Sequence, residues 1–309
     1  MSKEKLAMGS KGASVKELQK ILGITEDGKF GKNTKAAVKA FQLANGLVSD
    51  GVVGVKTWAA LLSAKPPVVS NPVKPGAKLL YWPNAVIRKD LKKKGRGSYS
   101  SESGLSVGSI VHYTAGNYKK GLQNAISSIE GSPYYFHCIA TDGSFVQANP
   151  LNQWGHHAGE SSWVINGKRV DGVSDYLDGI EMNNPGILTK IGSKYYAYYD
   201  LKSPIPDDQV RVITKDKHNV QKAAYMKYTS AQEKTLIEYL LWRKFNDPEN
   251  YNFDYVLGHD EVAGNTVEDD EKKGYGLARD RKNDPGGALS MTMPELRSLL
   301  KKEYAKRIK

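Results

Sequence analysis

The chain has 309 residues, of which 39% are hydrophobic and 9% aromatic, with a formal charge of +12. This length admits two domains with at least one substantial core, and the composition excludes an intrinsically disordered chain. The charge suits an anionic partner, but Lys and Arg are spread along the chain rather than gathered in a DNA-reading element, so nucleic acid is not expected.

Residues 1–12 are polar and lack the apolar core of a signal peptide, and no apolar run approaches the ~18 residues a membrane span needs. The expectation is a protein made in a cytoplasm, with no membrane insertion, that needs outside help to leave. Cys138 is the only cysteine, which excludes an intrachain disulfide and a thiolate metal cluster. Its neighbours His137, Ile139 and Ala140 place it in a buried strand.

An internal repeat organises residues 1–63. Asp27-Gly28-Lys29-Phe30-Gly31-Lys32-Asn33-Thr34 recurs 23 residues later as Asp50-Gly51-Val52-Val53-Gly54-Val55-Lys56-Thr57. Each Asp-Gly pair marks a tight turn, and each Thr is placed to cap the helix that follows. Helical stripes run through Val15, Leu18, Ile21 and Leu22, through Ala37, Val38, Phe41 and Ala44, and through Trp58, Leu61 and Leu62. Gly46 is read as the end of the second helix. The spacing therefore predicts a small three-helix module. Residues 64–78 contain Pro66, Pro67, Pro72 and Pro75 and read as an extended linker.

Residues 79–309 mix strand and helix signals, which predicts an α/β domain with a central mixed β-sheet flanked by helices. Ser109 to Tyr113 is a strand. Leu122, Ala125, Ile126 and Ile129 form a helical stripe closed by Gly131. Asp142-Gly143 joins two strands as a hairpin, and Gly179 to Met182 is another strand. Ser230 with Glu233 reads as a capping box before Leu236, Ile237, Leu240 and Leu241, and Thr292 to Glu295 opens a last helix.

Three segments carry the chemistry: Val111-His112-Tyr113-Thr114, Gly258-His259-Asp260-Glu261 and Arg281-Lys282-Asn283-Asp284-Pro285-Gly286. Two imidazoles and a carboxylate, His112, His259 and Asp284, make the three-ligand set that leaves a zinc ion one open position for water. Residues two apart in extended chain face one side, so Lys282 is expected beside Asp284, where an ammonium stabilises a developing oxyanion.

In type and order these segments resemble the zinc-dependent N-acetylmuramoyl-L-alanine amidases, the family that includes phage lysins and peptidoglycan-recycling enzymes. The repeat of residues 1–63 is similar to the peptidoglycan-binding module of wall hydrolases. The resemblance implies a Zn2+ enzyme acting on bacterial peptidoglycan, with His112, His259 and Asp284 on the metal and Lys282 on the oxyanion. It implies Glu181, in Gly179-Ile180-Glu181, as the proton-transfer carboxylate, and His157, in His156-His157-Ala158-Gly159, as a residue at the substrate. His137 matches a histidine often found on the strand before the hairpin turn. With no signal-like segment, the resemblance favours a phage or prophage endolysin.

Two insertions depart from the family pattern: residues 183–228, with Tyr195, Tyr196, Tyr198 and Tyr199, and residues 265–276, which lengthen the spacing between His259 and Asp284. Two other readings stay open: a zinc peptidase acting on the stem peptide, and a non-catalytic muropeptide-binding protein. Oligomeric state is not readable.

Overall fold

The computed structural model describes residues 3–22, 26–44, 50–63, 79–92, 95, 97–218, 220–263 and 282–308. The chain divides into two compact units, Met1–Pro72 and Val73–Lys309. The prolines of residues 64–78, Gly46 and the insertion at 265–276 lie outside the described residues.

The first unit contains α1 (Ala13–Leu22), α2 (Lys32–Ala44) and α3 (Val55–Ser63). Leu6, Val15, Leu18, Phe30, Val38, Val53, Trp58 and Leu61 form its core, with Leu22 and Phe41 packed against it. Ile21, expected on the buried face of α1, is exposed.

The repeat has a physical basis. The Gln19 side chain is buried and donates to Asp27 Oδ1, Lys29 O and Thr34 Oγ1 at 2.7, 3.1 and 3.1 Å, while its Oε1 accepts from Gly28 N at 2.8 Å. Gln42 repeats the pattern with Asp50 Oδ1, Val52 O, Thr57 Oγ1 and Gly51 N at 2.9, 2.8, 3.2 and 2.8 Å. Each glutamine thus staples one Asp-Gly turn, in which Gly28 and Gly51 adopt φ of +69° and +74°. Thr34 and Thr57, expected as helix caps, instead donate back to Lys29 O and Val52 O. Asp27, Gly28 and Thr34, and in the second copy Asp50, Gly51 and Thr57, are engaged in holding the turns.

The second unit contains β1 (Val86–Ile87), β2 (Gly108–Tyr113), α4 (Leu122–Gly131), β3 (His137–Ile139), β4 (Phe145–Gln147), β5 (Ser162–Ile165), β6 (Lys168–Asp171) and β7 (Leu177–Met182). The insertion at 183–228 folds as β8 (Thr189–Ile191), β9 (Lys194–Ala197), β10 (Asp200–Pro204), β11 (Val210–Val212) and β12 (Ala224–Met226). Then come α5 (Ser230–Asn246), β13 (Val256–Gly258), α6 (His259–Val262) and α7 (Met293–Arg307). The main sheet has the order β1-β4-β3-β7-β2-β13. Strands β3, β7, β2 and β13 run parallel, and β4 opposes β3, so the sheet is mixed as expected.

Strand periodicity sorts side chains onto two faces. One face sends Val111, Ile139, Phe145, Ile180 and Val256 against Leu236, Tyr239 and Leu240 of α5 and Leu296 and Leu300 of α7. The other carries Cys138 and Val146 under α4, and Ile110 and Leu257 beneath Ile165 and Val173. Both long helices start on capping boxes, at Thr292 with Glu295 and at Thr229 with Gln232. The second is one residue earlier than the sequence suggested, because Thr229 Oγ1 accepts from Gln232 N at 3.1 Å.

Under α5 lies a buried charge network. Asp178 of β7 meets Arg243 at 3.3 Å and accepts from Tyr239 at 2.8 Å and from Ser106 at 3.0 Å. Removing one partner of such a pair costs about 3–5 kcal/mol, because the other charge stays buried. His137 sits beside this network, its ring 5.8 Å from that of Phe145, on the face opposite His112. It is core.

The glutamine staples and the buried His137 can each be tested through stability. Gln42→Ala strands the buried N–H of Gly51, at about 1–3 kcal/mol for a buried group left unsatisfied. Calorimetry should show a lowered melting transition for the first unit and an unchanged one for the second. The second test concerns acid. Burial, chiefly, lowers the pKa of His137 to about 4 from an ordinary 6.5. As pH falls below 6.5 the unfolded chain gains a proton that the folded chain refuses, so stability declines until about pH 4. His137→Phe should reduce this acid loss by up to about 3 kcal/mol, read as a shallower fall in melting temperature from pH 7.5 to 4.5.

Candidate functional site

The parallel strands β2, β7 and β13 end at one edge of the sheet, the place where open α/β sheets present functional groups. Pairing of β2 with β7 sets His112 directly across from Glu181, on the same face. Gly258, paired with Val111, hands the chain from β13 to α6, and His259 opens that helix beside His112. Asp284 arrives from the segment before α7. Its backbone is tied to α6, since Asp260 N donates to Asp284 O at 2.9 Å and Gly286 N donates to Asp260 Oδ2 at 3.2 Å. Tyr113 donates to Asn283 Oδ1, pinning the same segment to the end of β2.

The structure brings His112, His259 and Asp284 together. The two Nδ1 atoms are 3.0 Å apart, and they lie 3.0 and 3.1 Å from Asp284 Oδ2. All three residues are buried, at 3%, 4% and 7% exposure. His259 Nε2 donates to Ala158 O at 3.2 Å, which leaves its Nδ1 lone pair facing the cluster. Two imidazole nitrogens and one carboxylate oxygen converging on one point fit a zinc ion. Burial, then the neighbouring His259, lowers the His112 pKa to about 4, so its ring is neutral. Burial pushes the Asp284 carboxyl up, but the two imidazoles outweigh it and hold the group well below the usual carboxylate range.

Glu181 is 2% exposed, and its Oε2 has no hydrogen-bond partner among the described residues. Burial and then the charge of Asp284 raise its pKa well above the usual range, and the ammonium of Lys282 pulls it back. Lys282 is half-buried, and its charge acts on both Glu181 and His112.

His157 departs from expectation. Its Nδ1 faces His112 Nε2 at 2.9 Å and its Nε2 faces Leu177 O at 2.8 Å. Both ring nitrogens are engaged by protein, so His157 stands behind His112 and offers no nitrogen to a substrate. His156 is exposed against Trp154, and His218 meets Glu261 at 3.2 Å.

Three features of the site were not legible in the sequence. Glu261, bracketed by Arg297 at 2.8 and 3.0 Å, accepts from Gly258 N at 3.0 Å and so fixes α6 to α7. Tyr135 lies near Glu181 and Asp284, whose charges push its hydroxyl up. The inserted strands return toward the same edge: Tyr198 and Tyr199 donate to Ala115 O and Gly116 O at 2.9 and 2.8 Å. The 23-residue offset alone would have paired Gln19 with Gln42 in the first unit, but no sequence period marks Glu261, Tyr135 or Tyr198.

Residues 11–61 match the model of the family described as "Putative peptidoglycan binding domain". Among curated proteins the chain has no match. Three solved structures are similar to parts of it. A Burkholderia AP3 phage endolysin is 38% identical over 20% of this chain, which spans 26% of the endolysin's length, with a TM-score of 0.20. AmpD, as a selenomethionine derivative, is 15% identical over 71% of this chain and 96% of its own, with a TM-score of 0.38. The N-acetylmuramyl-L-alanine amidase AmiD from E. coli, solved with an anhydromuramyl peptide, is 17% identical over 61% of this chain and 56% of its own, with a TM-score of 0.35. Residues 11–61 thus match a peptidoglycan-binding family, and the solved structures to which the chain is similar include AmpD and the amidase AmiD.

Proposed function

We propose that the chain is a zinc-dependent peptidoglycan amidase that cleaves the bond between N-acetylmuramic acid and L-alanine, and that it serves as an endolysin made in a host cytoplasm. The observation that carries this reading is the buried cluster of His112, His259 and Asp284 with the unpartnered carboxyl of Glu181 across from it on β7. The match of residues 11–61 supports peptidoglycan as the polymer on which the chemistry is performed.

His112, His259 and Asp284 would hold the metal. When bound, zinc supplies the positive charge that polarises water and the scissile carbonyl and favours the ionised form of Glu181. Glu181 takes the proton from the attacking water as its oxygen bonds to the carbonyl carbon. Lys282 stabilises the negative charge gathering on the carbonyl oxygen. As the carbon–nitrogen bond breaks, Glu181 returns a proton to the alanine nitrogen, leaving a lactyl carboxylate and a free stem peptide.

Glu181→Gln and Lys282→Ala should each keep bound zinc yet lose on the order of 10²-fold or more in activity. His259→Ala should lose both metal and activity. Mass analysis of fragments from purified sacculi decides the bond. Intact stem peptides with a free L-alanine amine are expected, and peptides cut internally would replace this reading with a peptidase.

The first unit should co-sediment with insoluble peptidoglycan by itself, without cutting it. Residues 73–309 should cleave soluble muropeptides but clear whole walls more slowly, since tethering raises local substrate concentration. Turbidity clearance with and without the module measures the difference. Equal clearance would remove the module's role.

A further inference from the structure

We propose that His157 is a positioning residue that sets the tautomer of His112, so that the Nδ1 of His112 is delivered to the metal as a bare lone pair. The inference rests on the zinc reading above. At the start of the chain of hydrogen bonds stands Leu177, whose carbonyl can only accept. His157 Nε2 lies 2.8 Å from that oxygen and must therefore carry a hydrogen. In a neutral ring the remaining nitrogen, Nδ1, is then an acceptor. It lies 2.9 Å from His112 Nε2, which donates to it. With its proton placed on Nε2, His112 turns an unprotonated Nδ1 toward His259 Nδ1 and Asp284 Oδ2, each 3.0 Å away. A single backbone carbonyl thus dictates, through two rings, which nitrogen of His112 can bind a cation. His259 reaches the same state in one step, through Ala158 O at 3.2 Å.

The sheet is built to house this second ring. A side-chain carbon on Gly179 of β7 would lie 2.6 Å from Cγ and 2.8 Å from Nδ1 of His157. Only glycine leaves room for the imidazole to lie against the strand between Leu177, which orients it, and Glu181. The two rings cross at 85° with centroids 5.1 Å apart, which aims an edge nitrogen of one at an edge nitrogen of the other. The glycine two residues before Glu181 is thereby explained by the histidine twenty-two residues earlier in the chain.

Outer partners of metal-bound histidines typically contribute 10- to 100-fold in affinity. Zinc chloride titration of the metal-free full chain, against a competing chelator dye, should show that loss for His157→Ala. His157→Asn, whose side-chain oxygen still accepts from His112, should recover most of it. Gly179→Ala should weaken zinc by displacing an intact His157. In the His157→Ala background the added methyl should cost nothing further, because the ring it struck is gone. Nitrogen NMR of the zinc-free wild type should show His112 protonated on Nε2, with mixed tautomers in His157→Ala. Circular dichroism checks folding, and if His157→Ala does not fold, the zinc affinities and His112 tautomers of His157→Asn and Gly179→Ala carry the test. Unchanged zinc affinity and tautomer in the folded variants overturns the role of His157 alone. A wild-type chain that takes up no zinc overturns the metal reading and this inference with it.

Discussion

The candidate centre depends on the parallel pairing of β2 with β7. That register puts His112 opposite Glu181 and turns both side chains to one face. Because strand side chains alternate, a slip of β2 by one residue would send His112 to the other face, away from Glu181 and into the apolar layer beneath α5 and α7. The register is held by the features that make it costly to change. Asp178 is sealed under α5 with Arg243 and Tyr239, while Gly179 is flattened against the His157 ring. Asp178 serves the face beneath α5, while Gly179 and Glu181 share the opposite face of the same strand.

The same alternation explains a division between histidines. His112 and His137 are buried, His157 is half-buried, and all three rings are held neutral. His137 faces Phe145 and Tyr239 and is packing. His112 faces the opposite side, where Asp284 and His259 converge on it. Sequence neighbourhood does not separate them. Strand parity does.

The two units meet the cost of buried polar groups in different ways. In the first, two glutamines satisfy two Asp-Gly turns with the same set of bonds, beside a small core that among the described residues has eight buried apolar side chains. In the second, polar groups are gathered around the sheet. Glu261 and Arg297 lock α6 to α7, while Asp260 ties α6 to the segment carrying Asp284. The position of His259 relative to Asp284 is therefore set by residues adjacent to the ligands. It does not depend on the length of chain between them, which is how a long intervening segment is compatible with a tight cluster.

The sequence by itself determined what depends on local pattern. Helical stripes, Asp-Gly turns, strand alternation and the Thr292–Glu295 cap are short-range effects, and they made the three-helix module and the mixed α/β sheet readable. The types and order of His112, His259 and Asp284 were readable too, and the fold brings the three together. What only the tertiary structure decided is how distant segments face one another. The Thr residues of the repeat became acceptors and donors for buried glutamines and turn carbonyls, a helix cap moved from Ser230 to Thr229, and the insertion's tyrosines came back to the loop after β2. His157 was read as a substrate contact from its motif, yet its two nitrogens are spent on Leu177 and His112. A side chain's type and period are written in its own segment, but the partner of each of its polar atoms is supplied by another part of the chain, and only folding brings that partner into range.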